Sequence, residues 1–367
     1  MRRALPQWAD LALVPLVNVA MAFAIAGLVV LAIGENPLAA TRILLQGSLG
    51  SSEGIGFTLY YATDFIFTGL CVALAFQAGL FNIGGEGQAT VAGLGAALVC
   101  LHLGFLPGLL LVPLGIAGAA LAGAAWAFIP GVLQAKRGSH IVITTIMFNW
   151  LATALMAYLL VNVLREQGSM QPETRFFPAA AQIPKIADVL ALAGLKIAAT
   201  PLNLAFPLAL LAAGGMWLLV WRTRLGYELR TLGASPAAAS YAGMPVARLT
   251  VIALMISGAL GGFLALNEVM GSQNHLALEF TSGYGFVGIA VALMGRSRSL
   301  GIVFAAILFG ALYQGGTELA FDKPTITRDM VVLVQGLVIL MAGALEHMVR
   351  PSLTRVFAGR QVLGQEA

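Results

Sequence analysis

The sequence predicts an all-α polytopic membrane protein of about ten transmembrane segments, counted on the ~20 apolar residues a helix needs to cross a bilayer. Three observations carry this. The 367-residue chain is 59% hydrophobic and only 10% charged, against about 25% charged in soluble domains. Its mean hydropathy is +0.90. Its 43 Gly and 15 Pro are spread through long apolar runs, as in helical membrane bundles, where small residues allow close helix approach and kinks are tolerated. A membrane barrel would need short alternating segments instead.

The segments follow in order. MRRALPQWAD precedes the first apolar run, Leu11–Ile33. The basic start resembles a signal peptide, but the run is too long for an h-region and lacks a cleavage site, so it reads as a retained span. Further spans are expected at Phe65–Phe81, Leu106–Leu133, Ile141–Leu164, Leu202–Trp221, Leu249–Leu266, Leu300–Leu319 and Met330–Met348. Two shorter runs, Ala89–Leu103 and Gly285–Met294, are flanked by glycine and read as broken or partly inserted helices lining a cavity.

The basic residues fit alternation with both termini cytoplasmic, because cytoplasmic loops are enriched in Lys and Arg. Of the 20 Lys and Arg, thirteen then fall inside, including Arg2, Arg3, Lys136, Arg137, Arg296, Arg298 and Arg350. The other seven, among them Arg175 and Lys185, lie mostly in longer loops, where the rule is weaker. The net charge of +4 is thus a topology signal rather than a nucleic-acid patch.

Two extramembrane stretches stand out within a single transmembrane domain covering 1–367. Residues 165–200, with Pro172, Pro178 and Pro184, form a polar external loop. Residues 222–248 form a cytoplasmic connector of two short helices, the first ending near Gly233 and the second capped by Ser235 with Pro236 at its first position. That length is unusual between helices and favours a docking element. Its small residues, Gly233, Ala234, Ala237, Ala238 and Ala239, would let it sit in a partner's groove.

The polar residues inside apolar runs are the candidate site. FNIGGEGQ (Phe81–Gln88) joins the end of one span to a short one, and its glycines permit backbone turns. Glu86 sits where the following helix N-terminus favours negative charge. A capped polar turn and a role on a translocation route explain it equally well. Asn149, beside Trp150, lies well inside its span, where an amide needs either a neighbouring helix or a ligand as partner. Glu268 and Gln314 lie near the ends of later spans and complete the list of pathway candidates, with Asn82 and Gln88 from the first motif.

Several functions are excluded or disfavoured. The four lysines, at 136, 185, 196 and 323, are never preceded by glycine, so the chain has no GK[ST] phosphate loop and any ATP hydrolysis belongs to a partner. There is no HExxH, and the four histidines are scattered, so no metal or catalytic residue is expected. Cys71 and Cys100 lie in apolar stretches and read as packing residues. An ion-coupled secondary transporter is the competing class. Such carriers place acids within helices, whereas here Asp64, Glu86, Glu268 and Glu318 fall mostly at predicted ends. A short internal echo, Gly69–Leu74 against Gly288–Leu293, is too brief to define a repeat.

FNIGGEGQ, ITTIMFNW (Ile143–Trp150), LRTLGASPAAASYAGMPVAR (Leu229–Arg248) and GYGFVGIAVALMGRSRSLGIVFAAILFGAL (Gly283–Leu312) together resemble the permeases of bacterial nucleoside and simple-sugar ABC importers. Most of the chain is covered and the motif order is kept. The resemblance implies a type II importer fold in the bacterial inner membrane. Its partners would be an ATPase subunit with two nucleotide-binding domains, a second homologous permease, a periplasmic or lipoprotein solute-binding protein and membrane lipid. ATP and Mg would act through the ATPase and no cofactor would bind here. Purine-type nucleosides are the favoured substrate and simple sugars the alternative. The resemblance places Tyr227, Arg230, Gly233, Ala234, Ser235, Ala242 and Gly243 on the ATPase, and Asn82, Glu86, Gln88 and Asn149 near the route. One departure is Arg298-Ser299, where the family usually carries a proline before the Leu-Gly pair.

The alternation yields a direct test. A Lys136→Cys variant in intact cells is expected to resist an impermeant external thiol reagent, while Arg175→Cys is labelled. Labelling at position 136 would invert the orientation.

Overall fold

The computed structural model describes residues 14–323, apart from 33, 167 and 196, and scattered positions between 326 and 337. The expected last span, Met330–Met348, lies almost wholly outside the described residues. The chain forms two compact units, Ser52–Ala311 and Met1–Ser51 with Leu312–Ala367.

In the smaller unit, α1 (Val14–Ala32) leads to α2 (Pro37–Leu49). Asn36 caps α2 by accepting from Leu38 N at 2.9 Å, and Pro37 occupies the first turn, where its missing N–H costs nothing. Val30, Ala40, Leu319 and Ile326 form this unit's apolar cluster.

The larger unit is built around α3 (Ser52–Gln77). Its buried residues run without a break from Ala62 to Ala75 and include Thr63, Asp64 and Thr68. A helix buried all round has protein rather than lipid for solvent, so polar side chains are tolerated where partners exist. That is why α3 begins before the apolar stretch that starts at Phe65. Then come α4 (Gly85–His102), α5 (Gly108–Arg137) and α6 (Ile141–Asn162). Gly138, at φ 66°, ends α5 in the left-handed conformation that glycine adopts without strain.

The 165–200 segment holds α7 (Ile186–Leu192) and is tied back to the chain by isolated bridges, Glu173 to Ala277 and Lys185 to Asn203. Next are α8 (Ala205–Arg222), α9 (Arg224–Ala234) and α10 (Pro236–Tyr241). Thr223 caps α9 through Gly226 N, and Ser235 caps α10 through Ala238 N as the Ser-Pro signal predicts. Leu229 and Leu232 of α9 are buried with Ala75, Ala78, Ala127 and Leu249. α11 (Val246–Gly262) continues into a π-helical segment, Leu266–Gln273. α12 (Tyr284–Met294) and α13 (Ser299–Asp322) follow. The internal echo falls on α3 and α12, which pack together: a Cβ on Gly69 would lie 3.0 Å from Val291, and one on Gly288 would lie 2.5 Å from Thr68.

Six helical stretches among the described residues are long and apolar enough to cross a membrane: Ser52–Gln77, Gly108–Arg137, Ile141–Asn162, Ala205–Arg222, Val246–Gln273 and Ser299–Asp322. α12 is apolar but shorter. The larger figure expected from sequence is therefore not reached on these residues. α5, α6 and α8 expose large side chains, among them Leu109, Leu121, Ile143, Met147, Leu211 and Trp217. Apolar faces of that extent are a liability in water and suit hydrocarbon.

Candidate functional site

The polar interior of the larger unit is organised around two helix starts that carry no capping side chain of their own. α4 begins after Gly84 and α12 after Gly283. The first N–H groups of a helix have no intrahelical acceptor, and in a membrane interior water does not supply one. Both helices take their acceptors from elsewhere in the fold.

At α4, Asn149 of α6 supplies one. Its Oδ1 accepts from Gly87 N at 2.9 Å and its Nδ2 donates to Ile83 O at 3.0 Å, so a single amide clamps both sides of the 83–87 turn. Gly87 is glycine for a steric reason, since a Cβ there would sit 2.8 Å from Asn149 Cα. Asn82 Oδ1 accepts from Gly84 N at 2.9 Å. The same Asn82 donates to Gln88 Oε1 at 3.0 Å and to Ser257 Oγ of α11 at 2.9 Å, and Ser257 donates to Cys71 O of α3 at 2.6 Å. The FNIGGEGQ turn thus joins α3, α6 and α11 through buried amides and a hydroxyl.

At α12 the acceptor is Glu86. Its Oε1 accepts from Thr281 Oγ1 at 2.5 Å and from Gly283 N at 3.0 Å, and its Oε2 accepts from Gly285 N at 2.8 Å. Negative charge at a helix N-terminus is the arrangement expected for Glu86, but the helix it serves is α12 rather than its own α4. At α4 itself, Gly84 N and Gly87 N are served by Asn82 and Asn149 instead. A Cβ on Gly285 would collide with the Glu86 backbone, so this approach requires glycine.

Four of the seven pathway candidates, Asn82, Glu86, Gln88 and Asn149, are therefore brought together. The others are not. Trp150 is 70% exposed, on the face of α6 that also carries Ile143 and Met147. Gln314 belongs to the smaller unit and donates to Glu318 Oε1 at 3.1 Å. Glu268 is buried in a second network, where its Oε1 accepts from Tyr60 OH at 2.6 Å. There Asn267 Nδ2 donates to Asp64 Oδ2 at 2.8 Å, and Asn203 Nδ2 donates to Asn267 Oδ1 at 3.0 Å. Sequence reasoning missed Asp64, Asn203 and Asn267 as site residues. Asp64 stood at the predicted edge of a span, and only the length of α3 places it inside.

Of the docking candidates, Tyr227, Ala234, Ala242 and Gly243 are exposed, while Arg230 lies 4.4 Å from the Trp221 ring. Ser235 is the α10 cap. Gly233 serves the chain's own packing, since its Cα lies against Gly79 and a Cβ would strike Gln77 O. Ala239 is likewise buried, and the surface that α10 offers is formed by Pro236, Ala237, Ala238, Ser240 and Tyr241, the last 97% exposed.

Among the described residues there is no group of three or more His, Cys, Asp or Glu able to hold a metal ion. The profile of the branched-chain amino acid transport system permease component family matches residues 54–343. Three relatives align over most of both chains. A guanosine ABC transporter permease of Bacillus subtilis is 34% identical over 90% of this chain and 93% of its own. A glucose ABC transporter permease of Haloferax volcanii is 33% identical over 92% and 88%. A nucleoside ABC transporter permease of Lactococcus lactis is 32% identical over 84% and 85%. The chain belongs to this family of ABC transporter permeases. It is a multi-pass membrane transport subunit rather than an enzyme, and ATP hydrolysis resides in a separate subunit.

The two hydrogen bonds to the 83–87 backbone set the effect of losing Asn149. Asn149→Leu leaves the buried Gly87 N–H and the part-buried Ile83 carbonyl without this partner, and it is expected to destabilise the purified permease by roughly 1–3 kcal/mol. The measurement is thermal unfolding in lipid nanodiscs. An unchanged midpoint would mean that the turn holds its shape without the clamp.

Proposed function

We propose that this chain forms the translocation pathway of an ATP-driven importer for a purine-type nucleoside. Substrate would arrive from a separate solute-binding protein, and a second homologous permease would complete the membrane dimer. The observation that carries the substrate assignment is the alignment with the guanosine permease, which extends over 90% of this chain and 93% of that protein. The glucose permease favours a second reading, simple-sugar import, because its identity is nearly the same at 33%.

The route proposed here runs past the 82–88 turn. Asn82, Glu86, Gln88 and Asn149 act on it by holding the turn and the start of α12 in one arrangement. Alternating access requires such elements to have two states, with ATP-driven motion in the partner shifting their balance. The 222–248 connector is the proposed cytoplasmic docking element and 165–200 the external loop, in an inner membrane with both termini cytoplasmic and about ten segments on the hydropathy spacing. This orientation is supported by the Lys and Arg alternation.

The substrate assignment is tested by reconstituting the permease with its cognate ATPase and solute-binding protein in proteoliposomes. ATP-dependent uptake of guosine-class substrate, measured with labelled guanosine, is expected, with none of labelled glucose. The opposite pattern would transfer the assignment to sugars, and uptake driven by an ion gradient without ATP would overturn the importer.

Docking is tested separately at Tyr241, whose side chain is free of the permease core. Tyr241→Glu is expected to weaken ATPase association about tenfold or more, as loss of an aromatic anchor does, while the permease stays folded. Undiminished co-purification would move the docking surface elsewhere.

A further inference from the structure

The second buried network has more acceptors than donors. Asp64 of α3 is fully buried and Glu268 of the π-helical segment is 5% exposed. Their carboxyl groups lie close enough to act on each other, and Asn267, which donates to Asp64 Oδ2 and to Tyr60 O, joins Asp64 to the Tyr60 that donates to Glu268. Two carboxylates have no hydrogen to share, and two buried negative charges side by side are strongly unfavourable without a compensating positive charge. Among the described residues no Lys, Arg or His acts on either group, and the other titratable side chain at the pair is Tyr60.

The hydrogen bonds locate the missing charge. Both oxygens of Glu268 already accept: Oε1 from Tyr60 OH at 2.6 Å and Oε2 from Gln273 Nε2 at 3.3 Å. That is the pattern of an ionised carboxylate. Asp64 Oδ2 accepts from Asn267 Nδ2 at 2.8 Å, whereas its Oδ1 is buried with no donor. Asn267 cannot turn to serve it, because its Nδ2 also donates to Tyr60 O at 3.2 Å and its Oδ1 accepts from Asn203. A second buried acceptor, Gln273 Oε1, is likewise without a donor on the Glu268 side of the network.

We propose that Asp64 and Glu268 form a proton-binding site joining α3 to the π-helical segment, with the proton on Asp64 Oδ1 and directed at the Glu268 carboxylate. A proton needs only one further lone pair on the Glu268 carboxylate, which one donor on each oxygen leaves open, whereas no group of three or more His, Cys, Asp or Glu able to hold a metal ion occurs among the described residues. A chain of polar contacts leads from it: Gln273 O bonds His275 Nδ1 at 2.8 Å, and His275 Nε2 lies 3.3 Å from Glu173 Oε2 in the 165–200 segment. His275 and Glu173 are thus the next titratable groups outward. π-helical segments often occur at functional sites, and this one supplies Glu268, Asn267 and Gln273 together. The site does not depend on which substrate the importer carries.

The test uses the full-length permease in nanodiscs, with infrared spectroscopy and thermal unfolding. At neutral pH the wild type is expected to show the C=O stretch of a protonated buried carboxyl, lost in Asp64→Asn. The two amide variants should also differ in stability. In Asp64→Asn the amide N–H donates where the proton did, so the unfolding midpoint stays near wild type. In Glu268→Gln the new NH2 faces the donors Tyr60 or Gln273, so the midpoint falls. Four results would each overturn the proposal: no such band in the wild type, a band that persists in Asp64→Asn, a larger midpoint loss in Asp64→Asn than in Glu268→Gln, or a sodium- or potassium-dependent rise in midpoint that Asp64→Asn abolishes. The last would put a metal cation in the proton's place.

Discussion

A helix that begins inside a membrane bundle presents N–H groups that water does not reach, and the larger unit depends on how these are satisfied. α4 and α12 both start after glycine, which has no side chain to offer. The acceptors come across helix boundaries, from Asn149 on α6 to the start of α4 and from Glu86 on α4 to the start of α12. Each helix start is fixed by a neighbour, so the turns move only if the helices that cap them move as well. In a transport subunit this ties local geometry to helix packing, which is the scale on which alternating access works.

Glycine makes the capping possible. Gly87 and Gly285 lie where a Cβ would press on the residue that caps them. Gly233 does the same for the 222–248 connector, letting α9 rest against the end of α3 while Leu229 and Leu232 anchor its inner face. The connector is therefore packed onto the bundle and is not a loose loop. Its exposed residues gather on α10, which has few side chains packed inward.

Burial of polar groups follows from the same architecture. α3 is surrounded by other helices, so Thr63, Asp64 and Thr68 meet protein partners. Asp64 meets Asn267 and Glu268 because the π-helical segment turns consecutive side chains toward α3. The peripheral helices α5, α6 and α8 show the opposite face of the rule, with bare leucines, methionines and Trp150 turned outward.

Class and broad organisation were legible in the sequence because they depend on sums over long windows. The apolar runs and the four motifs defined an ABC permease, the Ser235-Pro236 pair marked the start of α10, and Asn82, Glu86, Gln88 and Asn149, singled out as pathway candidates, meet at one turn. What those side chains do was not legible. For Asn149 a contact with the translocation route was favoured over a bond to a neighbouring helix, and the fold shows both ends of its amide on the 83–87 backbone. Glu86 does sit in the first turn of the helix that follows its motif, but its carboxylate accepts at the start of α12, a contact that local sequence cannot reveal. Asp64 read as an interfacial acid because hydropathy measures lipid compatibility, whereas α3 is buried in protein. Sequence alone determined that the chain lies in a membrane and what kind of subunit it is. Tertiary structure alone decided which polar groups meet, because a hydrogen bond between residues 60 to 200 positions apart is a property of packing and leaves no local trace.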